Sequence, residues 1–137
     1  MKLERILKAA AIIIREQKLL VVRAQGKELY VSPGGKIEGT ETAEQALIRE
    51  LLEELQITVT LEQVEFFGTF SALAAYDPSV TLVMQTFIVN KFSGPIIPGS
   101  EIEEVKWITS EDIGKLPLGS IFEHEVIPKL KSQGLIL

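Results

Sequence analysis

Three glutamates near the middle of the chain have the types and spacing that can hold a divalent cation. Glu50, Glu53 and Glu54 occupy positions i, i+3 and i+4 of a segment, Ala43 to Leu55, that is rich in helix formers and contains neither Gly nor Pro. At about 100° of rotation per residue they fall within an arc of roughly 100°, so one helix face presents all three carboxylates. Carboxylate oxygens suit Mg²⁺ that also keeps waters and accepts phosphate oxygens.

The same cluster also has a simpler interpretation as a solvated acidic helix face. Carboxylates at these spacings repel each other by a few tenths of a kcal/mol per pair, which Arg49 offsets only in part. A separate arc of the helix is apolar and can pack on a sheet: Leu47, Ile48, Leu51, Leu52 and Leu55. Ala43 and Ala46 lie on the acidic side, where small side chains would leave room for a ligand, although alanine is also the best intrinsic helix former.

The segment around this helix resembles the Nudix box, Gly-x5-Glu-x7-Arg-Glu-U-x-Glu-Glu-x-Gly-U, in which U is aliphatic. It matches at Gly35, Glu41, Arg49, Glu50, Leu51, Glu53, Glu54 and Ile57, and the preceding Ser32-Pro33-Gly34 is similar to the family's lead-in. Gln56 departs from the pattern because the family has glycine there. Glycine suits the left-handed conformation at a helix end, and replacing it costs about 1 kcal/mol. The departure removes no ligand.

The resemblance implies a role for each matching residue. Glu50, Glu53 and Glu54, together with the backbone carbonyl of Gly34, would bind Mg²⁺, with Mn²⁺ as the alternative. Glu41 and Arg49 would hold those carboxylates in a preset geometry, which matters because Mg²⁺ tolerates little deviation from octahedral coordination.

Candidates for the remaining roles lie partly outside the box. The general base in this family is a box glutamate or one on another loop, and Glu101, just after Pro98-Gly99, is our candidate outside the box, unless it only decorates a strand. Arg23, Gly34 and Gly35 are the candidate substrate-binding residues, although a surface ion pair is an equally good interpretation of Arg23.

Several aromatic residues and the histidine have ordinary structural interpretations as well as functional ones. Tyr30, Phe70 and Tyr76 could stack on a base, but aromatics in strands more often fill the core, and the same holds for Trp107. His124 lies between Glu123 and Glu125 on the predicted last helix, where an exposed or capping role is the simpler interpretation.

The activity that the resemblance implies is hydrolysis of a diphosphate bond by water attack at phosphorus. The substrate would be a nucleoside diphosphate linked to another moiety, or a (d)NTP, including an oxidised one. Because a diphosphate repels hydroxide, a metal has to neutralise its oxygens. The alternative is a catalytically silent Nudix-like nucleotide sensor or interaction module, but such modules usually lose acidic positions that this sequence keeps.

Apolar segments separated by turn-forming residues predict the strands that position the helix. We expect strands at Ile6 to Ile14, Lys18 to Arg23, Leu29 to Val31, Ile57 to Thr60, Val64 to Leu73, Val80 to Val89 and Glu101 to Ile108. The first two would form a hairpin, and Tyr76 to Ser79 would form the turn between two long antiparallel strands. Ser32 to Gly35 would form a loop.

Helices other than the glutamate helix are predicted near the C-terminus. Thr42 and Gln45 fit a capping box that begins the glutamate helix, Ser110 to Asp112 begins a short helix, and Ile121 to Lys131 forms a last helix that Pro128 kinks or shortens. Strands mixed with two or three helices, without regular alternation, indicate an α+β fold. The resemblance specifies an α/β/α sandwich with a mixed, largely antiparallel sheet.

Length and charge limit the class of protein and its partners. A chain of 137 residues with 46% hydrophobic content predicts a single domain over 1–137. The net charge of −5 disfavours polymeric nucleic acid and anionic membranes as partners. Residues Ala9 to Ile14 are too few to span a bilayer, so we expect a cytoplasmic protein without a leader or anchor.

Cysteine usage narrows the metal chemistry. The sequence contains no cysteine, so a metal must be held by oxygen ligands or by His124, which again favours Mg²⁺ or Mn²⁺. Beyond a small-molecule nucleotide substrate, the resemblance allows a homodimer, since members of the family often pair.

Overall fold

Two sheets form the centre of the fold in the computed structural model, which describes residues 4–74 and 77–137. The strands are β1 (Glu4–Ile12), β2 (Ile14–Arg15), β3 (Lys18–Ala24), β4 (Gly34–Lys36), β5 (Val64–Ala74), β6 (Asp77–Val89) and β7 (Ile102–Ile108). One sheet has the order β4-β1-β6-β5 and the other β2-β3-β7. Among these described strands, β1 and β6 are the one parallel pair, so the architecture is mixed and largely antiparallel, as predicted.

The predicted N-terminal hairpin is correct at its tip, where Ile14 pairs with Leu19, and wrong for the rest of the first strand. β1 does not pair with β3; it lies between β4 and β6 in the first sheet. At Ile13 the chain passes to the second sheet, where the short β2 pairs with β3 around Glu16 and Gln17, both of which have positive φ. Apolar composition predicted the strands correctly, but it carries no information about which strand is the neighbour.

The glycine pair expected in a loop forms a strand instead. Gly34 and Gly35 belong to β4, which pairs antiparallel with β1 through Ala10 and Ala9. Tyr30 and Val31, predicted as a strand, form only isolated bridges, to Leu118 and Val22. The segment before the acidic helix is therefore held at the edge of the first sheet.

Helix α1 (Ala43–Leu55) has the predicted beginning and end. The Thr42 side chain accepts from the Gln45 backbone N–H, and the Gln45 side chain accepts from the Thr42 N–H, which completes the capping box. Gln56 ends the helix in the left-handed region at φ 56° and ψ 33°. Its N–H donates to the Leu52 carbonyl at 3.1 Å.

The apolar face of α1 packs as predicted, with two differences. Leu47, Leu51 and Leu55 are fully buried, whereas Leu52 is 56% exposed. Ala43 and Ala46, expected beside an open surface, are buried in the core instead. Their small side chains allow the helix to approach the sheet closely.

The two long strands β5 and β6 pair antiparallel, as predicted. Asp77 to Ser79, which were expected in the turn, already belong to β6, and Tyr76 lies outside the described residues. The register shifts at Gly68, whose carbonyl accepts from the Thr86 hydroxyl at 2.7 Å, so the bulge leaves this buried polar group satisfied. Residues 57–60, predicted as a strand, contribute only a bridge from Thr58 to Ser93.

The C-terminal part contains short helical segments. Ser110–Asp112 form a single 3₁₀ turn, and a π-helical turn, Phe122–Val126, leads into α2 (Ile127–Ser132). Pro128 lies in the first turn of α2, where its missing N–H is tolerated, so the predicted helix persists with a π turn before the proline. Among helices in the described parts of the chain, none is long and apolar enough to cross a membrane.

Buried residues form two layers on either side of the strands. On β1, Ala9 and Ala11 pack against the α1 side, as does Ile13 just after the strand, while Ile12 packs against the side of the C-terminal helix. β3 alternates in the same way, with Leu20 and Val22 facing one layer and Leu19 and Val21 the other. The result is the predicted α+β sandwich.

Candidate active site

Arg49 links three parts of the chain around the start of the acidic cluster. Its Nε and Nη2 donate to the two oxygens of Glu41, at 2.8 and 3.0 Å, and its Nη1 donates to Glu50 Oε1 at 2.9 Å. Nη2 also donates to the Lys36 carbonyl at 3.1 Å. The hydrogen bond from Arg49, followed by the backbone N–H of Glu38, lowers the pKa of Glu41 to about 2. One guanidinium therefore joins the loop before α1, strand β4 and the helix itself.

Glu54 turns back towards the glycines of β4. Its Oε1 accepts the Gly34 backbone N–H at 2.7 Å. Burial is the main cause that raises the pKa of Glu54 to about 7; the Gly34 bond opposes this rise, and the charges of Glu50 and Glu101 add to it. Glu54 is thus a carboxylate in an environment that disfavours its negative charge.

Glu50 lies against β4 with only 17% of its side chain exposed. Burial raises its pKa, Arg49 opposes the rise, and the charges of Glu53 and Glu101 add to it. A Cβ on Gly35 would come about 2.5 Å from the Glu50 carboxyl carbon, so no larger residue fits there without moving this carboxylate. The box glycine is explained by this close approach.

Glu101 reaches the acidic cluster because the loop before it is attached to the end of α1. The Gly99 N–H donates to the Glu54 carbonyl at 2.7 Å, and the Ile97 N–H donates to the Leu55 carbonyl at 2.9 Å. A Cβ on Gly99 would overlap the carbonyl oxygen of Glu53, so this residue must also be small. These bonds satisfy carbonyls that the end of a helix leaves free, and they place an exposed glutamate within electrostatic reach of the helix acids.

The carboxylates approach each other without forming a closed cluster. Within residues 4–74 and 77–137, no three acidic or histidine side chains are already grouped closely enough to hold one ion. Glu50 and Glu54 instead bond to Arg49 and Gly34, and Glu53 is 58% exposed, with an oxygen 3.5 Å from Arg49. Local partners of this kind are expected for like charges that repel each other.

The donor set fits a hard divalent cation. Every candidate ligand is a carboxylate or carbonyl oxygen, and two of the acids are partly buried, where unpaired negative charge is unfavourable. A cation between Glu50 and Glu54 would relieve both the burial and the repulsion that raise their pKa values.

A pocket of about 130 Å³ opens beside β4, on the side of the sheet that faces the C-terminal helix. Gly34 and Gly35 form part of its wall next to Glu54 and Glu50. Leu82, Met84 and Phe122 form its apolar part, and Lys8 is the charged side chain in its lining; the others are Ala9, Ala10, Val31, Ser32, Gly119, Ser120 and Ile121. Gly34 and Gly35 thus contact both the pocket and the acids of α1.

Lys8 was missed by sequence reasoning. A lysine between Leu7 and Ala9 interrupts an otherwise apolar strand, and that interruption is the signal that could have found it.

Arg23 lies in a different set of contacts. Its Nη1 donates to the Lys27 carbonyl at 3.0 Å, its Nη2 is 3.6 Å from Glu104, and its guanidinium lies 5.8 Å from the Tyr30 ring centroid. Arg23, Lys27 and Tyr30 line a second, open pocket that shares no lining residue with the first. The substrate-binding role of Arg23 stays a prediction, and these contacts do not support it.

The described aromatic candidates contact the protein itself, as their structural interpretation predicts. Tyr30 is 9% exposed, and its hydroxyl donates to Glu104 at 2.5 Å. Phe70 packs with the core on the α2 side, and Trp107 packs with the core on the α1 side, where Arg15 lies 5.2 Å from its ring. His124 is exposed, 3.2 Å from Glu123.

Comparison with known proteins extends the similarity beyond the acidic helix. The family model for the NUDIX domain matches residues 5–130. The chain is 34% identical over 122 residues to an 8-oxo-dGTP diphosphatase of Haemophilus influenzae, a match that spans 83% of this chain and 85% of that protein. It is 27% identical over 121 residues to an ADP-ribose pyrophosphatase of Methanocaldococcus jannaschii, spanning 86% and 68%.

The fold comparison agrees. The solution structure of the Escherichia coli ORF135 protein resembles this structure with a TM-score of 0.74 and 28% identity, over 96% of this chain and 94% of that one. The similarity therefore includes both sheets and the C-terminal helix as well as the acidic segment.

Proposed function

This chain belongs to the Nudix hydrolase family, and on that premise we propose that it is a metal-dependent nucleotide pyrophosphohydrolase. It cleaves a diphosphate bond in a nucleoside diphosphate linked to another moiety or in a (d)NTP, by water attack at phosphorus. Nudix hydrolases generally use divalent metal ions. We propose Mg²⁺ here, with Mn²⁺ as the alternative.

The observation that carries the proposal is the pair of partly buried carboxylates, Glu50 and Glu54, which lie against Gly35 and Gly34 in the wall of a pocket and within electrostatic reach of Glu101. Burial and mutual repulsion raise the pKa values of the first two, and neither effect benefits the fold. A cation bound between these carboxylates would offset both unfavourable effects. In the proposal Glu50, Glu53, Glu54 and the Gly34 carbonyl hold that cation.

The bound cation supplies charge neutralisation at the phosphate oxygens and activation of a water. Arg49 and Glu41 are positioning residues, since their paired hydrogen bonds fix the rotamer of Glu50. Glu101 accepts the proton of the attacking water, and its exposed position lets it pass that proton to solvent. Gly35 keeps the wall beside Glu50 open to phosphate.

The pocket next to β4 receives the nucleoside in this proposal. It is concave, mostly apolar and adjoins the acids, as expected for a site that holds a base while phosphates extend towards a metal. Similar proteins are named for 8-oxo-dGTP and for ADP-ribose, so both a nucleoside triphosphate and a nucleoside diphosphate derivative belong in the test. A single domain over 1–137, a cytoplasmic location and a homodimer stay predictions.

The test is turnover of a nucleotide panel with Mg²⁺ and with EDTA. We expect release of a nucleoside monophosphate from at least one compound and its loss in EDTA. Glu54→Gln should lower kcat/KM by about 100-fold or more, because cations contribute several kcal/mol and each ~1.4 kcal/mol is tenfold. Glu44→Gln, in the first turn of the same helix, is the matched control and should leave the rate within about twofold.

Two results would contradict the proposal. Near-normal turnover in Glu54→Gln would show that Glu54 does not bind the catalytic cation. Nucleotide binding by the wild-type protein without turnover of any compound would favour the silent sensor.

A further inference from the structure

Lys8 is the charged residue in the lining of the pocket beside β4. It lies on β1, where its Cα pairs with Lys36 of β4 on one side and Met84 of β6 on the other. Its half-buried side chain lines the same pocket as Gly34 and Gly35. Lys8 therefore shares the pocket wall with the two glycines that contact Glu54 and Glu50.

Among the described residues, the charge of Lys8 has no close carboxylate partner. In the described parts of the chain, the ion pairs within 4 Å involve Arg23, Arg49 and His124, and none involves Lys8. Its positive charge slightly opposes the rise in the pKa of Glu54, so the two groups are within electrostatic reach but not in contact. An anionic ligand that enters this pocket would therefore meet a positive charge that no described carboxylate neutralises at close range.

The rest of the pocket lining also indicates that an anionic group would bind at Lys8. Apart from Lys8, the side chains are apolar except for the hydroxyls of Ser32 and Ser120. An anionic group therefore has one strong partner in the pocket. The acids of α1 would repel the same group, so a cation on the opposite side is needed to hold it near them.

We propose that Lys8 binds the phosphate that remains attached to the nucleoside, and that this contact aligns the diphosphate across Gly34 and Gly35 towards Glu50. The inference rests on the proposed function for the identity of the ligand. Lys8 is then a substrate-binding residue outside the box, and it acts before any bond is broken.

Binding without metal separates this inference from hydrolysis. AMP, GMP, CMP and UMP, and the matching uncharged nucleosides, are titrated calorimetrically into the protein in EDTA. We expect Lys8→Gln to weaken monophosphate binding by about tenfold and to leave nucleoside binding unchanged, because one charge-assisted hydrogen bond is lost. Lys8→Arg should retain binding within about threefold.

Arg5→Gln is the control for charge, since Arg5 is an exposed residue of the same strand and does not line the pocket. It should bind both ligands as the wild type does. If the panel reveals a substrate, Lys8→Gln should raise KM by about tenfold with a smaller change in kcat. Raising the ionic strength should weaken monophosphate but not nucleoside binding by the wild-type protein, which tests the charge contact without a variant.

Equal losses for nucleosides and monophosphates in Lys8→Gln would mean that Lys8 only maintains the pocket, and would overturn the inference. So would unchanged monophosphate binding in that variant, or no binding by the wild type. Monophosphate binding that depends on Lys8 in a protein that hydrolyses nothing would instead leave the inference standing and overturn the hydrolase proposal.

Discussion

Glu54 is held in the folded protein at a cost in free energy that depends on pH. Burial raises the pKa of this carboxyl group to about 7, whereas an unfolded chain gives glutamate a pKa near ~4.3. The folded state therefore binds more protons than the unfolded state between these values. Stability from this group is full below pH ~4.3 and is lost as the pH rises through 7.

Glu54→Gln in EDTA should show this loss directly. Glutamine keeps an oxygen that can accept the Gly34 N–H but carries no charge, so the variant should be more stable than wild type by about 1 to 2 kcal/mol at pH 8. The difference should shrink as the pH falls towards 4.5. Denaturant unfolding across this pH range measures it, with the exposed Glu53→Gln as the control for loss of charge. Adding Mg²⁺ should narrow or reverse the difference, since a cation that binds only the folded wild type stabilises it.

A wild-type protein that is the more stable of the two at pH 8 in EDTA would contradict this account. It would mean that the hydrogen bond from Gly34 outweighs the burial of the charge.

At the scale of elements, helix α1 is the part that its sequence specifies most fully. The capping residues Thr42 and Gln45 define its beginning, and a period of 3.6 residues separates its apolar and acidic faces. Gln56 is the local exception, because a residue with a side chain occupies the left-handed region at φ 56°.

Gln56→Gly should stabilise the protein by about 0.5 to 1 kcal/mol, because glycine reaches the left-handed region without strain. The matched control is Gln133→Gly at the end of α2, where φ is −87° and glycine should destabilise by a similar amount. Thermal melts should separate the two variants in opposite directions by a few degrees each. Loss of stability in both would show that the Gln56 side chain contributes more than its backbone strain costs.

The sequence predicted individual elements better than their neighbours. β5, β6 and β7 follow from β-branched and aromatic content, and the acids on α1 follow from helical periodicity. The parallel pairing of β1 with β6 could not be predicted, since these strands are far apart in sequence and pairing depends on tertiary packing. β4 was missed because proline and glycines predict a loop, whereas the close approach of Ala9 and Glu50 requires glycine in a strand.

The candidate site was predictable where it lies on α1 and less so where it depends on tertiary contacts. Spacing and resemblance identified Glu50 and Glu54. The approach of Glu101 depends on backbone bonds from Gly99 and Ile97 to the end of α1, which no local pattern contains. Lys8 lines the pocket because β1 pairs with β4, a pairing between distant segments that no local pattern specifies.

At the scale of the whole molecule, the two faces of the first sheet have different tasks. The acids approach from the α1 side of β4, while the pocket faces the C-terminal helix, so in the proposed function a substrate would cross the sheet edge at Gly34 and Gly35. That function would assign phosphate chemistry and nucleoside recognition to different residues. The two can vary independently, in agreement with the different substrates in the names of similar proteins.

This separation predicts weak discrimination between bases. The pocket lining offers a nucleobase apolar contacts from Leu82, Met84 and Phe122 and only the hydroxyls of Ser32 and Ser120 as uncharged polar side-chain groups. A mostly apolar pocket rejects a similar group by about 100-fold at most, whereas sites with dedicated buried hydrogen bonds reach roughly 10⁴-fold or more. Values of kcat/KM for ATP, GTP, CTP and UTP, which share the same triphosphate, should therefore lie within about 100-fold of each other in Mg²⁺. A preference above about 1000-fold for one base would place recognition in groups other than these side chains, and the nucleoside would then have to bind outside this pocket or against its backbone.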